Sequence, residues 1–177
     1  MQSIGAHSEF GTLREVVVGS AEGLALPPFS KDLSHYNEEL RAALLANPGR
    51  PLDIRKHFPE RWERTVEQME GVAATYERNG ITVHRLRAYT DEERRYLADL
   101  QPGASQLYPA DPVFVIGKHY IEISIRRAYR RKEGFPLRDL ILPMIDADPE
   151  AHYVAMPPSR PWTPAGEGPG PFLEGGD

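Results

Sequence analysis

The sequence contains no cysteine among its 177 residues, and this absence removes several kinds of chemistry at once. Disulfides, thiolate metal sites and cysteine nucleophiles are excluded within this stretch of polypeptide. Hydrophobic runs are short: no stretch of roughly 18 apolar residues occurs, and the first residues have neither the basic nor the apolar region of a secretory signal. We therefore expect a cytoplasmic protein without membrane contact.

Positive charge is also in deficit, with 21 Lys and Arg against 26 Asp and Glu and a net charge of −5. Such a chain has no general attraction for nucleic acid or for anionic lipid. The G-x-S-x-G nucleophile elbow and the Gly-rich phosphate loops do not occur. The six histidines include no pair at metal-ligand spacing on one helix face, so we expect no metal site.

The hydrophobic patterns predict a single mixed α/β domain. Three consecutive valines ending in Gly19 favour a buried strand, and Gly117-Lys118 separates two apolar runs at the spacing of a tight hairpin. Residues 157–177 are rich in Pro and Gly, which predicts a loop leading into a further element. Strands are expected at 13–19, 81–86, 113–116, 119–123 and 152–156, helices at 31–47, 59–79, 137–145 and after Thr90, and a Pro-containing loop at 24–30.

Asp111 is the first candidate site residue. It stands between Pro109-Ala110 and Pro112, directly before the hairpin, so its backbone is stiff and its carboxylate lies at the mouth of a strand. The two oxygens of a fixed carboxylate can accept parallel N–H bonds from a planar guanidinium. The alternative is an ordinary turn aspartate that initiates an Asp-Pro bend.

Two further segments carry charge in a suggestive pattern. In the closing Glu-Gly-Gly-Asp at 174–177, the Gly pair would let Glu174 and Asp177 reach one site, although a solvated loop end is the alternative. Five cations also crowd residues 126–132 after a strand. They would bind a substrate carboxylate or phosphate, pair with acidic neighbours, or form a solvated face or an intersubunit patch.

Four segments of the chain, in this order, resemble the amidinotransferases, which belong to the guanidine-modifying, or pentein, superfamily. They are residues 9–19 (EFGTLREVVVG), Pro-Ala-Asp-Pro at 109–112, Ile121-Glu122 with its Arg-rich continuation, and the final EGGD at 174–177. The resemblance spans almost the whole chain. It implies an α/β fold, the pentein propeller of ββαβ modules around a substrate channel, here incomplete with roughly two to three modules.

The resemblance also implies a mechanism that uses no cofactor. A cysteine thiolate attacks the guanidinium carbon of L-arginine, an amine leaves, and a small amine acceptor then takes the amidino group from the cysteine. Carboxylates hold the planar cation, and a histidine oriented by an acid moves protons. The expected partners are therefore L-arginine and a small amine.

Carried over residue by residue, the resemblance implies that Asp111 binds the donor guanidinium. Glu174 would pair with the catalytic histidine or with the guanidinium, and Asp177 would assist in binding substrate. Arg130 would bind the carboxylate of the donor. Ala110 departs from the family, whose members usually carry arginine there.

The family places its catalytic histidine and cysteine downstream of the acid-Gly-Gly-acid motif, where this sequence stops. We therefore expect residues 1–177 to be the N-terminal part of one propeller domain, inactive alone, with 157–177 leading into the next module. Exposed strand edges would favour association with the remaining half or with another copy.

Two alternatives stay open at this point. In an arginine deiminase or a dimethylarginine-type hydrolase of the same superfamily, water replaces the acceptor amine. In a non-catalytic module, the acidic residues bind a guanidinium without turnover.

Overall fold

The computed structural model describes residues 5–8, 10–28 and 36–157, which form a mixed α/β structure. The strands in these ranges are β1 (Glu15–Val18), β2 (Ser20–Leu26), β3 (Leu52–Asp53), β4 (Thr82–Arg85), β5 (Ala104–Gln106), β6 (Val113–Ile116), β7 (His119–Glu122) and β8 (His152–Ala155). The helices are α1 (Glu38–Ala46), α2 (Ile54–His57), α3 (Pro59–Arg78), α4 (Asp91–Arg95) and α5 (Gly134–Asp146), with a 3-10 helix at Ala128–Glu133. None of these helices has both the length and the apolar character needed to cross a bilayer.

The strands β6, β7 and β8 with α5 form one ββαβ unit. β6 pairs antiparallel with β7 through a turn at Gly117, whose φ is +58°, and β7 pairs parallel with β8 after the chain has crossed along α5. Tyr120 of β7 is almost fully buried against Ile141 of α5. The predicted hairpin and the predicted strand at 152–156 are confirmed.

An ion pair fastens α5 to the sheet of this unit. Arg138 donates to both carboxylate oxygens of Glu122 at 2.7 and 2.5 Å, and the hydroxyl of Tyr153 donates to the same carboxylate. A Cβ on Gly134 would lie 3.1 Å from Oε1 of Glu122, so a larger residue at the start of α5 would press on this carboxylate. Glu122 therefore holds the structure of this unit.

The parallel strands β1 and β4 are joined through the long helix α3. Pro59 occupies the first turn of α3, where its missing N–H costs nothing, and Gly80 follows the helix with a φ of +75°. The register places Val16 beside Val83. The helix predicted at 59–79 and the strand predicted at 81–86 are confirmed.

A third sheet has the order β3, β2, β5, with both pairings antiparallel. β2 was not expected, because Gly23 and the prolines after it indicated a loop. Gly19, between β1 and β2, packs directly against the backbone that follows β5. A Cβ at this position would lie 2.2 Å from the carbonyl oxygen of Leu107 and 2.7 Å from that of Gln106.

Candidate functional site

Asp111 lies in the turn that connects β5 to β6. Its backbone N–H donates to the carbonyl of Tyr108 at 3.1 Å, and the N–H of Val113 donates to the carbonyl of Ala110 at 3.3 Å. Pro112, which follows Asp111, is fully buried and fixes its own φ. The turn therefore has little freedom, and it holds the Asp111 side chain with 24% of its surface exposed.

The hairpin returns the chain to Asp111. The register pairs Val113 with Glu122, and beyond that pair the N–H of Ile123 donates to the carbonyl of Pro112 at 3.0 Å. The chain then passes the buried Ile125 and enters the 3-10 helix Ala128–Glu133. This topology brings a second segment, 19 residues further along, against the Asp111 turn.

Arg130 of the 3-10 helix binds two carboxylates. Its Nη2 donates to Oδ2 of Asp111 at 2.6 Å and to Oε2 of Glu133 at 2.9 Å, and its Nε donates to Oε1 of Glu133 at 2.8 Å. The side chains of Arg130 and Glu133 are 14% and 3% exposed. Although burial opposes the charge, the two carboxylates raise the pKa of Arg130, so the guanidinium is a permanent cation here.

This network qualifies the expected fork between Asp111 and a substrate guanidinium. Oδ2 of Asp111 already accepts from Arg130, while Oδ1 accepts no hydrogen bond from any residue that the structure describes. Oδ1 of Asp111 therefore keeps its full acceptor capacity, whereas Oδ2 has used part of its own. Nε and Nη2 of Arg130 are likewise engaged, whereas Nη1 donates to none of the residues in the described ranges and can bind a further acceptor.

Two tyrosines, Tyr89 and Tyr129, lie close enough to the ion-pair network to interact electrostatically with Arg130 and Glu133. Tyr89 donates its hydroxyl to the carbonyl of Ser105 at 2.6 Å, and burial together with nearby Glu133 raises its pKa. Burial also raises the pKa of Tyr129 to about 12. The ring of Tyr129 lies against Gly103, where a Cβ would come within 3.0 Å of it.

The basic cluster at 126–132 does not form a uniform solvated face. Lys132 is fully buried and donates to the carbonyl of Arg94 at 2.9 Å, and Nε of Arg131 donates to the carbonyl of Ile125 at 2.7 Å. The interpretation as a solvated face is therefore wrong for Lys132 and Arg130, whereas pairing with acidic neighbours is confirmed for Arg130. Charge runs are usually solvated; Arg126 is exposed, but Arg130 and Lys132 lie on a 3-10 helix that packs inward.

Glu133 is the site residue that sequence reasoning missed. Its signal was present, because an acid three positions after Arg130 shares a face with it on a 3-10 helix.

The other predicted site residues, Glu174 and Asp177, lie outside the described residues, so their approach to Asp111 stays a prediction. Within the described ranges no group of three or more His, Asp and Glu side chains is placed to hold a metal ion.

A groove of about 350 Å³ lies elsewhere, between α3 and the ends of β1 and β4. Trp62, Val66 and Met69 line it on the helix side, and Glu70 forms its rim together with Arg85, to which it is ion-paired. None of the lining residues belongs to the Asp111 network.

Among solved structures, two amidinotransferases share the fold of this chain. The inosamine-phosphate amidinotransferase from Streptomyces griseus superposes with a TM-score of 0.64 and 23% sequence identity, over 89% of this chain and 44% of that protein. SxtG, an amidinotransferase from Microseira wollei in the saxitoxin biosynthetic pathway, gives a TM-score of 0.62 and 23% identity, over 89% of this chain and 42% of its own. No family model and no curated protein matches the sequence.

This likeness establishes the fold that the chain shares with part of the amidinotransferases. The chain spans less than half the length of either structure. The three sheets in the described residues are open, with one ββαβ unit traced in full, and the expected count of propeller modules stays a prediction.

Proposed function

We propose that this chain is the N-terminal half of an amidinotransferase, which moves an amidino group from L-arginine to a small amine. The observation that carries the proposal is the Asp111 carboxylate, which a stiff turn and the largely buried Arg130 hold while its Oδ1 accepts no hydrogen bond from the described part of the chain. A guanidinium is a planar cation whose N–H groups suit such an acceptor. The fold shared with two amidinotransferases supports the same activity.

The reaction proceeds in two balanced steps. A cysteine thiolate from polypeptide beyond residue 177 adds to the guanidinium carbon, the bond from that carbon to the donor nitrogen breaks, and ornithine leaves after its nitrogen gains a proton. The acceptor amine then adds to the amidino carbon, loses a proton, and releases the thiolate. A histidine, which we also place beyond residue 177, carries the protons, and no cofactor takes part.

The residues of this chain bind and orient the donor. Asp111 accepts one N–H of the guanidinium through Oδ1, and Glu174 pairs with the histidine or supplies a second acceptor, assisted by Asp177. Because Asp111 and Glu133 engage Nε and Nη2 of Arg130, its Nη1, which donates to none of the described residues, would bind the carboxylate of the donor. We place the protein in the cytoplasm, with the remaining half or a second copy covering its open strand edges.

The test is ornithine formation by the full-length gene product supplied with L-arginine and a panel of small amines. The Asp111→Asn variant keeps the size of the side chain but loses its charge, so we expect kcat/KM to fall about 100-fold through loss of donor positioning. The matched control is Asp99→Asn, which removes an exposed carboxylate outside the site and should leave kcat/KM unchanged. Citrulline formed without an acceptor would identify a hydrolase instead, and arginine binding without turnover would identify a non-catalytic module.

A further inference from the structure

We infer that Glu133 is a positioning residue that keeps the Arg130 guanidinium from closing onto both oxygens of Asp111. The inference rests on the proposed function, in which Oδ1 of Asp111 receives the donor. Nothing in the sequence pattern or in the shared fold assigns a role to this glutamate. Its contacts and its burial carry the argument.

Glu133 takes up one of the two N–H edges of Arg130, that of Nε and Nη2, and so sets the angle at which the guanidinium meets Asp111. An arginine presents five N–H donors in a rigid plane, and two of its nitrogens can grip one carboxylate in parallel. Here the parallel grip is on Glu133, through Nε at 2.8 Å and Nη2 at 2.9 Å. Nη2 alone reaches Asp111, at 2.6 Å.

The 3-10 helix fixes this choice of partner. Residues three apart eclipse each other on such a helix, so Glu133 stands beside Arg130 without any long-range requirement. With its side chain 3% exposed, Glu133 has lost most of its competing water. The contact with Glu133 therefore fixes the orientation of the guanidinium plane, and Asp111 contacts this plane only at Nη2.

Removal of the Glu133 charge changes the balance between the two carboxylates. Asp111 would then be the only anion among the hydrogen-bond partners that Arg130 has in the described residues. A buried guanidinium gains most from a two-bond fork with a carboxylate, so it would turn toward Asp111 and use Oδ1 as well as Oδ2. Oδ1 of Asp111, which binds the donor in the proposed function, would then be occupied by Arg130.

The experiment compares Glu133→Gln with the parent full-length gene product. We expect KM for L-arginine to rise about tenfold while kcat changes less than about twofold, because the donor must displace Arg130 before it binds. A crystal structure of the variant should show Nη1 or Nε of Arg130 within hydrogen-bond distance of Oδ1 of Asp111. An unchanged KM, or an Arg130 that stays on Oδ2 alone, would overturn the inference.

The matched control is Glu93→Gln, which breaks another two-bond fork, between Glu93 and Arg87 at 2.7 Å for both bonds, whose described hydrogen bonds include none to Asp111 or Arg130. It should lower stability without raising KM. If Glu133→Gln fails to fold, Glu133→Asp retains the charge with a shorter reach, and we expect its KM to rise about threefold; a KM equal to that of the parent would contradict the role. If the parent forms no ornithine, the proposed function fails, whereas the crystal structure of the variant still decides where Arg130 turns.

Discussion

Replacing Gly19 with alanine is expected to lower the free energy of unfolding by about 4 kcal/mol, a loss near the upper end for a single substitution. The added Cβ would lie 2.2 Å from the carbonyl oxygen of Leu107 and 2.7 Å from that of Gln106. Both neighbours are backbone atoms, so no rotamer change relieves the overlap. Either β1 or the segment after β5 must move.

The displaced segment matters because it leads into the Asp111 turn. Leu107 is the residue before Tyr108, whose carbonyl accepts the N–H of Asp111 at 3.1 Å. We therefore expect Gly19→Ala to weaken donor binding as well as stability, provided that the variant folds.

Urea denaturation and thermal melting measure the effect. For a chain of this size, 4 kcal/mol corresponds to a fall in Tm of roughly 8 to 16 °C. The matched control is Gly71→Ala in α3, where a Cβ meets nothing within 4 Å, so the better helix former should raise stability by up to about 1 kcal/mol. A melting temperature for Gly19→Ala within 2 °C or so of the parent would show that the close approach at Gly19 does not constrain the fold.

Local sequence signals predicted the elements whose ends are marked by a capping residue, a proline or a glycine. Pro59 and Gly80 bracket α3, Gly117 makes the hairpin, and Thr90 caps α4 with a reciprocal bond to Glu93. β2 escaped prediction because its pairing with β5, more than 75 residues away in the sequence, overrides the turn propensity of Gly23. Long-range pairing of this kind leaves no periodic trace in a single sequence.

The sequence predicted the fixed carboxylate of Asp111, but not the contacts that surround it. The two prolines around Asp111 indicated a fixed carboxylate, and the structure holds it in a short turn. The contact of Asp111 with Arg130 could not be read from the sequence, because it depends on the hairpin returning the chain past Pro112. The three-residue spacing of Arg130 and Glu133 could have predicted their ion pair. The sequence interpretation considered only the run of cations and not the acid that follows it.

Lys132 gives the second large expected effect, which depends on pH. The side chain is fully buried, and its hydrogen bond is to the carbonyl of Arg94, the last turn of α4. Burial, reinforced by the charge of Arg94, lowers the pKa of Lys132 from 10.5 to about 8. Between these two values the unfolded chain binds more protons than the folded one, so stability rises with pH through this window.

The size of the effect follows from the shift in pKa. At about 1.4 kcal/mol per pKa unit, the charge on Lys132 costs the fold about 3 kcal/mol at pH 7. Replacement by methionine keeps the length and the apolar stem while it removes the ionisable group. We therefore expect Lys132→Met to be more stable than the parent at pH 7, with the advantage shrinking by about 3 kcal/mol as the pH rises to 10.5.

Urea denaturation of the parent and of Lys132→Met at intervals from pH 7 to 10.5 measures this change. The comparison uses the difference between the two proteins, because buried tyrosines such as Tyr129, whose pKa is about 12, affect both equally at the alkaline end. Lys56→Met is the matched control, since it removes the same charge from an exposed side chain and reports the effect of net charge alone. A difference between Lys132→Met and the parent that stays constant with pH would mean that Lys132 keeps its charge in the fold by way of a partner, and that the 3-10 helix carries its cations into the interior without penalty.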